Sequence, residues 1–521
     1  MNKPDARSRL SSSANFNATL SRRVFLRGAG KAMAAAGMAE LISNPVADSA
    51  VKSMPQVGYG QLLRPQFHFT ARTGWINDPN GLVYFDGIYH MYFQFLPHNL
   101  QGTSGNKYWG HAISRDLVHW RQLQTAISPD KAGGIWSGSA AVDALNTAGF
   151  KRGKKPAIVA MYTAGGGSSK ISQGQPFTQC LAYSNDDGLT FTKYAHNPVL
   201  EQIVPGNRDP KIIWHAASRH WVMPLFLNAS RGFALFYSPD LKHWTKLQEL
   251  AFPQSQECPN FFPLPLEGKP GGEKQIRELS DVRWIFTGAD SQYLIGQFDG
   301  RRFTVESGPF AMDTGNNFYA AQVYNNIPAS DGRTIQIGWM RNGQYPGMPF
   351  NQQMSFPCAL TLRDTSDGLR VCRDPVREIR HLWSNTHRMH NLVLADKKRA
   401  FSNITANQLD IEAIIQPGTA KLIGMEICGQ KLEINRATGQ IHCLGATGQL
   451  AKSAHPHEPL HLRVLVDHTS IEIFAQHGLV SMSSCYLPPA TPASLACYAI
   501  GGNATFSSLA VRELNSAWTK A

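Results

Sequence analysis

SRDLVHW at Ser114–Trp120 returns as SPDLKHW at Ser238–Trp244, with the related SNDDGLTF at Ser184–Phe191 between them and a weaker fourth copy, FDGRRFTV, at Phe298–Val305. Each copy sets a polar turn between a strand and a following aromatic residue, so each reads as the same outer hairpin of a repeated β unit. The serine-to-serine spacings are 70 and 54 residues. That exceeds the roughly 40 to 50 residues of the commonest propeller repeats, yet it suits four-stranded blades with generous loops. Between residues 65 and 375 there is room for about five such units.

The surrounding texture agrees. Short runs of β-branched and aromatic residues are broken by Gly, Asn, Asp and Pro, and few stretches carry a helical period. GLVYFDGIYHMYFQF (Gly81–Phe95) alternates on both sides of Asp86-Gly87 and predicts a hairpin hinged there. After RDPVREIRHLW (Arg373–Trp383) the pattern changes to alternating strands, QLDIEAII, LHLRVLVDHTSIEIFAQHG and LACYAI, which predict a β-sandwich. The chain therefore divides into a leader at 1–50, a linker at 51–63, a propeller at 64–375, a second linker at 376–394 and a sandwich at 395–521. The fold class is all-β. Packing against the propeller is the plain role for the sandwich, and carbohydrate binding its functional alternative.

The leader is rich in Ser, Ala and Arg. Its SRRVFLR (Ser21–Arg27), followed by GAGKAMAAAGMAELI, resembles a twin-arginine signal with its weak apolar region. No other stretch approaches the roughly 18 consecutive apolar residues of a membrane span, so the expectation is export by the twin-arginine machinery to the periplasm or beyond, without stable membrane insertion. Of the net charge of +13, the leader's seven Lys/Arg and three Asp/Glu account for +4. The rest is dispersed, with no basic block, phosphate loop or zinc-finger spacing, which argues against nucleic acid as a partner. None of the eight cysteines forms a CxxC pair. They read as buried thiols rather than metal ligands, with a bridge among the last five the one exception to consider.

Three acidic residues sit in constrained settings: Asp78 in WINDPNG, Asp209 in GNRDPKI and Glu257 in SQECPNFFPL. WINDPNG carries a strong turn signal. Pro79 and Pro210 push the residue before them out of the helical region toward extended geometry. Arg208 supplies a charge that favours an ionised Asp209, while Cys258, Phe261 and Phe262 suggest an apolar setting for Glu257, suited to a proton donor. Taken alone, each is more often a turn residue than a catalyst. Together they supply a nucleophile, a proton donor and a further carboxylate, which glycosidic bond cleavage requires. The nearby Trp75, Trp109, Trp136 and Trp339 offer faces for sugar rings.

WINDPNG, FQF around Gln94, WGHAISRDLVHW, WSGSA, RDP, ECP, FYAAQ and IGWMRN occur in that order. This set resembles glycoside hydrolase family 32, the β-fructosidases, over about residues 64 to 515. The resemblance implies a five-bladed β-propeller followed by a C-terminal β-sandwich. It implies Asp78 as nucleophile, Glu257 as acid/base and Asp209, beside Arg208, as transition-state stabiliser. Asn77, Gln94, Trp136 and Ser137 match positions around the terminal fructosyl unit. The implied reaction is retaining and uses no metal or organic cofactor. Two departures stand out: Gln101-Gly102 where many relatives carry Trp-Gly, and Asn317 where an acidic residue often precedes FYA.

The expected activity is release of terminal fructose from levan or inulin, and from sucrose. A sucrose-restricted invertase, a fructosyltransferase, a non-catalytic fructan-binding protein and an inverting arabinan-cleaving propeller remain as alternatives.

Overall fold

The computed structural model describes residues 58–267, 282–452, 458–490 and 494–518; the leader expected at 1–50 lies outside them. Five sheets follow one another along the first part of the chain. Blade 1 holds strands Gly74–Phe85, Ile88–Leu96, Tyr108–Ser114 and Trp120–Gln122, and blade 2 runs from Gly134–Asp143 to Thr192–Lys193. Blade 3 runs from Ile213–His215 to Thr245–Leu250, blade 4 from Asn260–Pro265 to Phe303–Ala311, and blade 5 from Phe318–Val323 to Gly368–Pro375. Apolar clusters lie between successive blades. Tyr92 and Trp109 of blade 1 pack with Ile158 and Tyr162 of blade 2, Val159 and Leu181 of blade 2 with Met223 and Phe236 of blade 3, and Ile285 and Ile295 of blade 4 with Leu360 and Leu362 of blade 5. Middle strands such as AIVAMYTAG (Ala157–Gly165) are buried along their whole length and so read as continuous apolar runs rather than alternations. The ring closes where Phe350–Asn351, from the last blade's loop, pairs in parallel with Gly74 and Trp75 of the first.

The echoed turns are built alike. Asp116 accepts the amides of Val118 (3.1 Å) and His119 (2.9 Å) and the His119 ring (2.8 Å). Asp240 does the same with Lys242 (3.0 Å), His243 (2.9 Å) and the His243 ring (2.7 Å). Leu117 and Leu241 both take φ of 65°. Trp120 and Trp244 each donate to the leucine carbonyl three residues back, at 3.0 and 2.8 Å. The motif is therefore a turn device, and its repetition marks the blades. The hairpin expected at Asp86-Gly87 also forms, with φ of 48° and 84° at the two turn residues.

WINDPNG is not a turn. Residues Gly74–Phe85 form one continuous innermost strand, interrupted by register shifts between Ile76 and Pro79 and between Asn80 and Val83. Pro is tolerated there because an innermost strand is an edge strand and a bulge frees the missing donor. Gly81 is required by contact as well as by its φ of 54°: a Cβ there would stand 2.7 Å from the Tyr92 ring.

Two six-stranded sheets pack face to face in the second domain, over a core that includes Ile411, Val464, Ile473 and Phe506. A short helical turn at Arg377–Leu382 leads into it. Residues 383–394 are not a linker but most of strand Trp383–Ala395, paired with Asn503–Leu514. That strand lies on a sheet edge with mostly exposed side chains, so its WSNTHRMHNLV sequence carries no alternation to read. Part of the stretch expected as the first linker is docked as well, since Tyr59 stacks on Trp518 with ring centroids 4.0 Å apart. All eight cysteines are free thiols, so the bridge considered among the last five does not form. Among the described residues no helix is long and apolar enough to cross a membrane.

The domains meet around buried charge. His68, just before blade 1, lies between Asp467 (2.9 Å) and Glu472 (2.7 Å) of the sandwich, with no exposure on either side. Asp467 also accepts the backbone amides of Gln66, Phe67 and His68 at 2.7, 3.0 and 3.1 Å. Burial alone would pull His68 down, but the two carboxylates outweigh it and hold the imidazole at about 9. Burial would raise Asp467 and Glu472, and their bonds to His68 hold both below the ordinary carboxylate range.

Candidate active site

The inner edges of blades 1, 3 and 4 bring Asp78, Asp209 and Glu257 to one place. Asp78 sits in the bulged inner strand and is 9% exposed. Its Oδ1 accepts Asn77 Nδ2 at 3.1 Å, and its Oδ2 accepts Gln94 Nε2 at 3.3 Å and a short bond from the Ser137 hydroxyl. The bulge is tied down by Asn80, whose Nδ2 donates to the Asp78 carbonyl at 3.1 Å while its Oδ1 accepts the Gly138 amide of blade 2 at 3.0 Å.

Asp209 takes φ of 67° and Glu257 takes 34°. Pro210 does bar Asp209 from the right-handed helical region, but the residue turns to the left-handed region rather than to extended geometry. Its amide donates to Thr163 Oγ1 at 2.9 Å and its Oδ2 accepts the Cys258 amide at 3.0 Å, and these bonds hold it there. Left-handed backbone at two non-glycine acids costs of order 1–3 kcal/mol each, the kind of strain that clusters at functional sites. Burial pushes the Asp209 carboxyl up to about 7; Arg208 opposes this and the Glu257 and Asp78 charges add to it, so the arginine does not win.

Glu257 is not in an apolar setting. Cys258, Phe261 and Phe262 are buried in the core, whereas the Glu257 carboxylate meets the Arg208 guanidinium through Nη2 (2.7 Å) and Nε (3.2 Å) and takes a short bond from the Tyr319 hydroxyl. Arg208 also lies 3.5 Å from Asp209 Oδ2. The Cys258 thiol stands 3.4 Å from Asp78 Oδ2 and 3.5 Å from Asp209 Oδ2, joining the two buried carboxylates. Burial and the carboxylates around it push that thiol well up, so it stays protonated and able to donate.

Of the expected substrate-binding residues, Asn77, Gln94, Ser137 and Arg208 all touch the three carboxylates. Trp75 is half-buried and donates to Asn77 Oδ1 at 3.2 Å. It meets Trp339 edge-on at 6.2 Å, and Trp339 meets Tyr319 at 6.1 Å, so these aromatics form one wall. Gly102 lies against that wall: a Cβ there would come within 2.4 Å of the Trp75 ring. Gly102→Val is expected to displace the indole and lower kcat/KM by about tenfold to a hundredfold, and to cost about 1–3 kcal/mol of stability as well, because Gly102 takes φ of 70°. An unchanged kcat/KM would detach Trp75 from the site.

Two assignments need correction. Trp109 is fully buried, stacks near Tyr92 and donates to the Trp136 carbonyl at 3.0 Å, so it supports the next strand and offers no exposed face to a sugar ring. Asn317 spends its amide on the domain junction: Nδ2 donates to the Arg341 carbonyl at 2.5 Å, and Oδ1 accepts the Cys485 amide of the sandwich at 2.7 Å. Trp136 is half-buried, with its Nε1 held by the Gly105 carbonyl at 3.1 Å. Sequence reasoning missed Lys107, whose ammonium donates to Asn77 Oδ1 at 2.7 Å, and Tyr319 as the partner of Glu257. FYAAQ contained the tyrosine without marking its role; nothing local to Lys107 distinguishes it.

A five-bladed ring that carries two buried carboxylates and a third on a guanidinium and a phenol defines an acid/base-and-nucleophile hydrolase of the glycosidase class. Residues 68–374 match the Glycosyl hydrolases family 32 N-terminal domain and residues 378–513 match the Glycosyl hydrolases family 32 C terminal domain, so the chain belongs to glycosyl hydrolase family 32. It is therefore a glycoside hydrolase. A levanase of Bacillus subtilis is 34% identical over 500 residues, covering 88% of this chain and 72% of the relative. An extracellular exo-inulinase of Aspergillus niger is 29% identical over 535 residues, covering 88% and 96%. The crystal structure of exo-inulinase from Aspergillus awamori superposes with a TM-score of 0.76 at 26% identity, covering 88% of this chain and all of that one.

Proposed function

We propose that the chain is an exported, exo-acting fructan β-fructosidase that removes terminal fructose from levan or inulin and also splits sucrose. The observation that carries the chemistry is the Cys258 thiol set between Asp78 and Asp209, with Glu257 beside it on Arg208 and Tyr319. In this reading Asp78 attacks the anomeric C2 of the terminal fructosyl unit while Glu257 gives its proton to the departing oxygen. Glu257, then a carboxylate, takes a proton from water, which attacks C2 and frees Asp78 with retention of configuration. Asp209 holds sugar hydroxyls as positive charge builds on the ring. Arg208, through Nη2 and Nε, and the Tyr319 hydroxyl hold the Glu257 carboxyl in place for both steps.

Export is supported by the twin-arginine-like leader and by the extracellular naming of the Aspergillus niger relative. It also suits a polymeric substrate, which does not enter a cell. Fructose release from levan, inulin and sucrose, measured in parallel, tests the substrate reading: release from at least one polymer is expected. Release from sucrose alone would make this an invertase, and predominant oligosaccharide formation at high sucrose would make it a transferase.

A further inference from the structure

Three carboxylates crowd one site, and its cations are divided between them. Arg208 serves Glu257 with two nitrogens and reaches Asp209 at 3.5 Å. On the Asp78 side the cation is Lys107. Its ammonium donates to Asn77 Oδ1 at 2.7 Å, and Asn77 passes its own Nδ2 to Asp78 Oδ1 at 3.1 Å. Trp75 Nε1 donates to the same Asn77 oxygen at 3.2 Å. Two donors on Oδ1 fix which way the amide faces, and the NH2 end is thereby turned onto the carboxylate. The lysine is itself anchored, because its carbonyl accepts the Ile135 amide from the inner strand of blade 2 at 2.8 Å.

An ammonium in this position is costly. Burial disfavours its charge, and the charges of Asp78 and Glu257 work in the opposite direction. A methionine would fill the same space with no charge to desolvate. What compensates the lysine is the negative field of the carboxylates, and what it returns is positive charge on the side that Arg208 does not serve.

We propose that Lys107 is a positioning residue of the fructosidase reaction, locking the Asn77 amide onto Asp78 and balancing the charge of the carboxylate cluster. The inference rests on Asp78 being the nucleophile. Removing a positive charge beside carboxylates makes them harder to ionise, so activity that needs an ionised carboxylate fails at a higher pH.

The test is the pH dependence of sucrose hydrolysis by Lys107→Met, Lys107→Arg and Asn77→Ala, singly and with Lys107→Met placed on Asn77→Ala. Lys107→Met is expected to move the acid limb of kcat/KM up by about one pH unit, the low end of the effect of an opposite charge on a carboxylate. At a pH on that limb this is about a tenfold loss. Lys107→Arg should keep the limb at its wild-type position. On the Asn77→Ala background Lys107→Met should still move the acid limb, because its charge acts through space, but at a pH above the limb it should add less than about a twofold further loss, the non-additivity expected of residues acting through one network. An unmoved limb in Lys107→Met, with only a lower melting temperature, would overturn the proposal. So would a full, independent loss above the limb on the Asn77→Ala background. Asp78→Ala separates the two levels: activity retained there removes the nucleophile assignment, whereas an inactive Asp78→Ala with an unmoved Lys107→Met limb removes the lysine inference alone.

Discussion

Asp78→Ala is expected to reduce fructose release by at least about four orders of magnitude, the scale of loss when one member of a nucleophilic catalytic unit is removed, because the proposed covalent fructosyl intermediate needs its carboxylate. Folding should stay near normal. The bulge that presents Asp78 is held by Asn80 on the backbone carbonyl and on blade 2, neither of which needs the Asp78 side chain. Far-UV circular dichroism and a thermal melt beside the rate measurement distinguish a dead enzyme from an unfolded one. Residual activity within about a hundredfold of wild type would mean that another group attacks C2.

His68→Leu is expected to cost about 3–5 kcal/mol of stability, the range for removing one partner of a buried ion pair. Two carboxylates with no exposure would lose their common cation. Denaturant unfolding near pH 6 measures the loss, and a value below about 1 kcal/mol would show that the network is not a charged one. The pH dependence carries a sign. His68 is held at about 9, above its ordinary 6.5, so its contribution is fully present below about 6.5 and is lost as pH rises through 9. Asp467 and Glu472 lie below their ordinary 3.8 and 4.5, so their contributions are present above those values and are lost as pH falls. Domain docking should therefore be most stable between about 4.5 and 6.5, and His68→Leu should flatten the alkaline slope.

How much of this was legible in the chain depends on whether the cause was local. The echoed Ser-x-Asp-Leu-x-His-Trp turns are local devices, closed by Asp116 and Asp240 on their own next few amides, and so the blades were readable. The sandwich strands with one buried face were readable for the same reason. The edge strand at Trp383–Ala395 was not, because pairing rather than burial forms it. Within the site, the three acids stood out by their Pro and Cys neighbours, but their electrostatics did not. Glu257 looked apolar from Cys258 and Phe261, but the first turns its thiol to Asp78 and Asp209 and the second lies in the core, while its true partners, Arg208 and Tyr319, lie 49 and 62 residues away. Asn317 and Trp109 misled in the opposite direction: both occupy family-like motifs, yet their polar atoms are spent on Cys485 and on the Trp136 carbonyl.

The pairing of His68 with Asp467 joins positions 399 residues apart, and the ring of blades closes only when Phe350–Asn351 reaches Gly74. Contacts of such sequence separation cannot form during synthesis of the first blades, so the opening segment waits without its charge partner until nearly the whole chain has been made. A nascent chain truncated before Asp467 keeps a histidine without its carboxylate partners, and one truncated before Phe350 also leaves the first blade open at its inner edge. A chain shortened before Asp467 is therefore expected to be cut by protease faster than the full-length chain, because the opening segment lacks its buried partners.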